Sequence, residues 1–99
     1  MDHRLRDAVR SLNRDFPLRD AVQVRTVATL ICPYRGRLFG MAERPKWFII
    51  TIQRHADMSV QIDTLWHEWT HCLVWPDCRE KHDERFWRTY GRIYSHYQD

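Results

Sequence analysis

The chain has 99 residues, which is room for one compact domain and one hydrophobic core. Hydrophobic residues make up 43% and charged residues 29%, with three glycines and four prolines, so the composition is that of a folded globular domain and excludes a disordered or repetitive chain. Sixteen basic against 13 acidic side chains give a net charge of +3, which permits an anionic partner without requiring one.

The apolar runs are short. The longest covers residues 47–52, far below the roughly 20 residues that span a bilayer, and the N-terminus lacks the apolar centre of a signal peptide. Cys32, Cys72 and Cys78 are an odd number without CxxC spacing, which suits a reducing compartment. We therefore expect a cytoplasmic protein without a membrane partner.

The first predicted element is an amphipathic helix over residues 2–16. Three extended segments follow, at residues 21–31, 34–41 and 47–54, and only short turns separate them. Because parallel neighbours need a crossover of about a dozen residues or more, these turns predict an antiparallel meander. The helix prediction rests on apolar residues at helical spacing and on the proline that follows them: Leu5, Val9, Leu12, Phe16 and Pro17.

Helical periodicity returns after Asp57. Asp57 or Ser59 can cap a helix that runs to about Trp75, and Asp83 can cap a last helix that carries most of the remaining aromatic residues. The predicted fold is a single α+β domain over residues 1–99, with a helix, a three-stranded antiparallel sheet and two further helices.

The most informative motif is HEWTH at residues 67–71, an HExxH pattern inside a predicted helix. Residues four apart lie on one helical face about 6 Å apart, so His67 and His71 can converge on one zinc ion while Glu68 faces the open coordination position. A shuffled chain of this composition would contain the pattern roughly once in a hundred trials, so coincidence is disfavoured.

A catalytic zinc site needs a third protein ligand, which must come from downstream. His82 is favoured because it can stand at the start of the last helix and face back towards His67 and His71. Asp77 lies at a metzincin-like spacing and Glu84 at a gluzincin-like position, so both stay open as alternatives. Further downstream residues with ligating side chains are Cys78, Glu80 and His96.

Residues 62–71, followed by His82 and the aromatic residues Phe86, Trp87 and Tyr90, resemble the SprT-like and minigluzincin group of small zinc metallopeptidases. The resemblance is close over residues 60–97. It implies a minimal zincin fold in which His67, His71 and His82 bind Zn²⁺ and Glu68 is catalytic. Many relatives are found in bacteriophage genomes, and a phage-encoded member would act in the cytoplasm of its host.

The predicted chemistry is hydrolysis of a peptide bond. Zinc lowers the pKa of its bound water towards about 7, and Glu68 accepts the proton and passes it to the leaving amine. Tyr90 or Tyr94 can supply the oxyanion partner, and Asp63, one turn before His67, can orient that imidazole. The strand at residues 47–54 is the first candidate for the sheet edge that pairs with a peptide substrate.

A second interpretation belongs to another class of protein. Zinc can be structural, with the arginines binding DNA, RNA or a partner protein. Glu68 favours the enzyme, because a structural site has no use for a carboxylate facing an open metal position. Since some SprT-like proteins digest DNA-bound proteins, the resemblance also allows a substrate associated with nucleic acid.

Overall fold

The structure is a computed structural model that describes residues 1–28, 31–32, 36–37, 40–44, 46–75 and 82–98, with residues 31–32 and 36–37 described by their backbone alone. Within these ranges the chain forms three helices and five strands, which confirms the α+β class. In chain order they are α1 (His3–Asp15), β1 (Val22–Val27), β2 (Ile31–Cys32), β3 (Gly36–Arg37), β4 (Gly40–Glu43), β5 (Phe48–Gln53), α2 (Met58–Leu73) and α3 (Glu84–Tyr97).

Two helices begin with a capping hydrogen bond, of which only the one at Asp83 was predicted. Asp2 caps α1 by accepting from the backbone N–H of Arg4 at 2.8 Å, and Asp83 caps α3 by accepting from that of Phe86 at 3.0 Å. Each bond satisfies one of the amide donors that a helix N-terminus leaves unpaired. The hydrogen bond from Phe86 to Asp83 therefore fixes the start of α3 next to His82.

Helix α2 begins differently. Asp57 occupies the N-cap position, but its side chain makes no capping hydrogen bond. The buried Gln61 amide instead donates to the carbonyl oxygens of Arg54 and Ala56, at 3.0 and 2.8 Å. These two bonds close the turn that leads from β5 into α2, so the helix direction is set by a residue inside its first turns.

The sheet differs from the prediction. Strand β5 lies between β1 and β4, pairing in parallel with β1 (Val22 opposite Phe48) and antiparallel with β4 (Gly40 opposite Ile52). The sheet is therefore mixed, and the expected antiparallel meander is wrong. Strands β2 and β3 form a separate antiparallel pair.

The physical reason lies in which strands are neighbours. The turn-length argument holds only for strands that follow each other and pair, and β4 and β5 are indeed antiparallel across a short connection. Strand β1 pairs not with the next strand but with β5, and the 20 residues 28–47 between them are long enough for a parallel crossover. The predicted strand at residues 34–41 is divided between β3 and the start of β4.

The core lies between the sheet and the helices. Phe48, Ile50 and Ile52 of β5 are fully buried, as are Leu5 and Leu12 of α1, which confirms the predicted apolar face of the first helix. The largest fully buried side chain is Trp69 of α2, and its indole N–H donates to the carbonyl oxygen of Phe16 at 2.9 Å. In the described part of the chain, no helix is both long and apolar enough to cross a membrane.

Candidate metal centre

Helix α2 places His67 and His71 on the same face, one turn apart. Their ring centroids are 5.1 Å apart, as expected for side chains at positions i and i+4. His71 is 6% exposed, and His67 is half-buried. Both imidazoles are therefore partly shielded from solvent before any third group is added.

His82, the residue just before the Asp83 cap, is the third member of the cluster. Its Nε2 atom lies 3.1 Å from Nε2 of His67 and 3.2 Å from Nε2 of His71, and the ligand atoms of all three lie within 4.8 Å of one another. In a tetrahedral zinc site with Zn–N bonds of about 2.0–2.1 Å, ligand nitrogens are about 3.3 Å apart. The spacing of the three imidazoles fits such an ion.

The other candidates for a third ligand are separate from this cluster or lie outside the described residues. The carboxylate of Glu84 is 85% exposed and pairs with Arg88 at 2.6 Å. His96, near the far end of α3, lies 3.3 Å from the carboxylate of Asp15. Asp77, Cys78 and Glu80 fall outside the described residues.

Phe86 supports all three imidazoles from one side. Its fully buried ring has its centroid 4.9, 4.6 and 4.7 Å from those of His67, His71 and His82. Burial, together with the two neighbouring imidazoles, lowers the pKa of His67 to about 4. His67 is therefore neutral at pH 7, the form in which an imidazole binds a metal ion.

Glu68 lies on the side of α2 that β4 approaches, next in sequence to His67. It is 9% exposed, and burial raises the pKa of its carboxyl group to about 7. A carboxyl group that titrates near neutral pH can both accept and release a proton during a reaction. Glu68 therefore has the protonation behaviour that a general base needs.

Strand β4 approaches α2 beside Glu68 at Gly40. A Cβ atom on Gly40 would overlap the Thr64 methyl group, lie 3.0 Å from the Thr51 carbonyl oxygen and lie 3.5 Å from Cγ of Glu68. Glycine is therefore required for strand and helix to come this close. Strand β4 and helix α3 flank the exposed face of α2 on its two sides.

The tyrosines expected to stabilise an oxyanion differ in position. The ring centroid of Tyr90 is 6.0 Å from that of His67, and its hydroxyl donates to Asp63. Tyr94 is 45% exposed and contacts the rings of Trp66 and Tyr90. The structure thus brings Tyr90 to the edge of the histidine cluster and leaves Tyr94 a further turn away.

Two features of the site were not predicted. Asp63, expected to orient the His67 imidazole, instead accepts the hydrogen bond from Tyr90, and Phe86, named from the sequence only as part of the family resemblance, packs against all three imidazoles. Both depend on how α2 and α3 pack, for which the sequence carries no local signal.

The prediction that residues 47–54 form the edge strand for a peptide substrate is wrong. Strand β5, which covers these residues, is paired on both sides, and β4 is the strand that ends the sheet beside Glu68.

The donor set is the best guide to the ion. Three imidazole nitrogens suit zinc and similar transition metals, whereas magnesium and calcium prefer oxygen ligands. Comparisons with protein-family models, curated proteins and solved structures found no match to this chain. The case for a function therefore depends on the geometry of these side chains.

Proposed function

We propose that the protein is a zinc-dependent metallopeptidase of the SprT-like or minigluzincin kind. The observation that carries the proposal is the meeting of three imidazoles, with Nε2 atoms 3.1 and 3.2 Å apart, next to a buried carboxylate on the same helix. A structural zinc site is normally closed by four protein ligands, whereas the described part of the chain brings only three ligating side chains together, which leaves one coordination position open. That difference favours catalysis.

Four residues of the site have distinct roles in the proposed reaction. His67, His71 and His82 would hold the ion, which when bound acidifies a water molecule and polarises the substrate carbonyl group. Glu68 accepts a proton from the attacking water and delivers it to the leaving amine. Burial beside β4 shields this carboxyl group from bulk water, so its proton is exchanged with the reacting groups.

Strand β4 offers a place for the substrate. An extended peptide can add to the end of a sheet through main-chain hydrogen bonds, which do not depend on the peptide sequence. Such a peptide would cross α2 close to Glu68 and the histidines. Tyr90 is the candidate oxyanion contact that lies at the edge of the histidine cluster, and its hydroxyl donates to Asp63.

The proposal is tested by metal analysis and hydrolysis of an unfolded protein such as casein. Wild-type protein should hold about one zinc per chain, and Glu68→Gln should keep the metal but lose activity by about 10²–10⁴-fold. His82→Ala should lose both, whereas His55→Ala, at an exposed turn residue outside the cluster, should keep both. Full activity in Glu68→Gln, or wild-type zinc affinity in His82→Ala, would refute the assignment.

A second candidate function is a zinc-containing module that binds nucleic acid or a protein partner without catalysis. It is favoured by a groove of about 480 Å³ between α2 and α3, lined in part by Arg85, Arg88 and Arg92 of α3. These arginines share one helix face and could contact successive phosphates. The same groove would serve a peptidase whose substrates are bound to nucleic acid.

The arginine groove makes a separate prediction. Binding to a DNA or RNA oligonucleotide should weaken steeply as salt rises, and Arg92→Gln should reduce the salt dependence by about one phosphate contact. Arg10→Gln, on the exposed face of α1, should change neither. Oligonucleotide binding that survives Glu68→Gln without any hydrolysis in the wild type would favour the module over the enzyme.

A further inference from the structure

A second groove begins one helical turn from the histidine cluster. It lies between the first half of α2 and the second half of α3, and its volume is about 560 Å³. The pairing of Tyr90 with Asp63 marks the end nearer the cluster, since Asp63 is one turn before His67. A peptide bound at the histidines would therefore bring a neighbouring side chain to this groove.

The walls of the groove are aromatic. The Trp66 ring meets the Tyr94 ring at 5.9 Å and 86°, and the Tyr90 and Tyr94 rings stack at 6.3 Å and 29°. Trp87 extends the same row, 6.0 Å from Tyr90 and 5.6 Å from the His82 ring. Because Trp87 is 51% and Tyr94 45% exposed, their faces are available to a ligand.

Only one charged side chain lines this groove among the described residues, and it is acidic. Tyr90 donates to Oδ1 of Asp63, which holds the carboxylate in one orientation. Within the described ranges, Oδ2 of Asp63 accepts no hydrogen bond from the chain. The groove thus combines aromatic faces with a fixed carboxylate that has a free acceptor atom.

We propose that this groove binds a lysine or arginine side chain of the substrate, adjacent to the bond that is cleaved. Aromatic faces attract a cation through their ring quadrupoles, and a carboxylate at the end of the same groove completes its binding site. A neutral side chain of equal size would gain only the apolar contact. The inference rests on the proposed function, because it names the substrate class of that same site.

Binding without turnover provides the first test. Zinc-loaded Glu68→Gln protein is titrated with a five-residue peptide, capped at both ends, that carries arginine at its centre, and with the same peptide carrying the neutral isostere citrulline. Tryptophan fluorescence follows binding. The arginine peptide should bind about tenfold more tightly. Equal affinity for the two peptides would overturn the proposal.

Substitutions then locate the effect. Added to the Glu68→Gln background, Asp63→Asn keeps an acceptor for the Tyr90 hydroxyl but removes the charge, and should reduce the preference for arginine to about threefold or less. Tyr94→Leu, at an exposed position, should reduce it similarly. Asp7→Asn, an exposed carboxylate on α1 outside this groove, should leave the preference unchanged. A full preference in the Asp63→Asn protein would show that the basic side chain binds elsewhere.

A kinetic comparison separates this inference from the proposed function. With otherwise wild-type enzyme, Asp63→Asn should lower the ratio of kcat/KM for an arginine substrate to kcat/KM for the citrulline substrate about tenfold, whatever its effect on the rate common to both substrates. Hydrolysis without any preference for arginine overturns the groove assignment and leaves the peptidase standing. Binding preference that depends on Asp63, without hydrolysis in the wild type, refutes the peptidase and supports the groove.

Discussion

Replacing Glu68 with glutamine should stabilise the metal-free protein at high pH. The carboxyl group is 9% exposed, and burial raises its pKa from 4.5 to about 7. The folded state therefore binds more protons than the unfolded state between those two pH values, and its stability falls as the pH rises through them. Glutamine resembles the protonated acid and carries no such penalty.

The size of the effect follows from the pKa. Each tenfold change in a proton equilibrium corresponds to about 1.4 kcal/mol, so a pKa moved from 4.5 to about 7 costs on the order of 3 kcal/mol once Glu68 is ionised. Below pH 4.5 the two proteins should be nearly equal in stability. Above pH 7 the variant should be the more stable, with a Tm higher by more than about 10 °C for a domain of this size.

The assay is urea unfolding of both proteins in chelator, at pH 5 and pH 8.5. The pKa of His67 is lowered to about 4, so that residue adds stability as the pH rises from 4 to 6.5, but both proteins share the effect and it leaves their difference unchanged. Glu84→Gln is the matched control, because the Glu84 carboxylate is 85% exposed. It should show no pH-dependent gain.

A constant difference between wild type and Glu68→Gln at both pH values would refute the reasoning. It would mean that the carboxyl group is in contact with water, and that β4 does not cover it at Gly40. The result would also mean that the pKa of Glu68 is not raised to about 7, which removes one support for its proposed role as general base. Addition of zinc to the same samples then shows whether the ion offsets the burial of this charge.

Three further predictions concern the surroundings of the site. Gly40→Ala should destabilise the fold by about 1–3 kcal/mol in urea unfolding, because its methyl group would overlap Thr64; unchanged stability would contradict the close approach of β4. Asp83→Ala should lose about 1 kcal/mol and weaken zinc binding through His82, whereas Asp2→Ala, which removes the equivalent cap of α1, should lose as much without affecting zinc by calorimetric titration. Zinc at 100 times its Kd should raise the free energy of unfolding by about 2.7 kcal/mol; an unchanged Tm would argue against a site formed in the folded state.

The helices could be predicted from the sequence because their signals are local. Leu5 and Leu12 repeat at helical spacing and are buried in α1, and Asp83 caps α3 as its position before the last helix predicted. The sheet could not be predicted in the same way. The strand order depends on β5 lying between β1 and β4, and strands that are far apart in sequence carry no local signal that predicts which of them will pair.

The site shows the same division. His67 and His71 are brought together by one helix, so their spacing was sufficient to predict their convergence. His82 was predicted as the third ligand because its ligand chemistry and spacing favoured it over Asp77 and Glu84, provided that the chain reverses direction between the two helices. The contact between Asp63 and Tyr90 arises only when α2 and α3 pack, so the sequence suggested a different partner for each of these two residues.

The placement of His82 has a consequence for motion within the molecule. Two imidazoles belong to α2 and the third precedes α3, so an ion bound by all three would link the start of α3 to α2. The backbone amides of β5 are protected from hydrogen exchange by pairing with β1 and β4 on both sides. Removal of the ion should therefore speed amide hydrogen exchange in α3 and leave exchange in β5 almost unchanged.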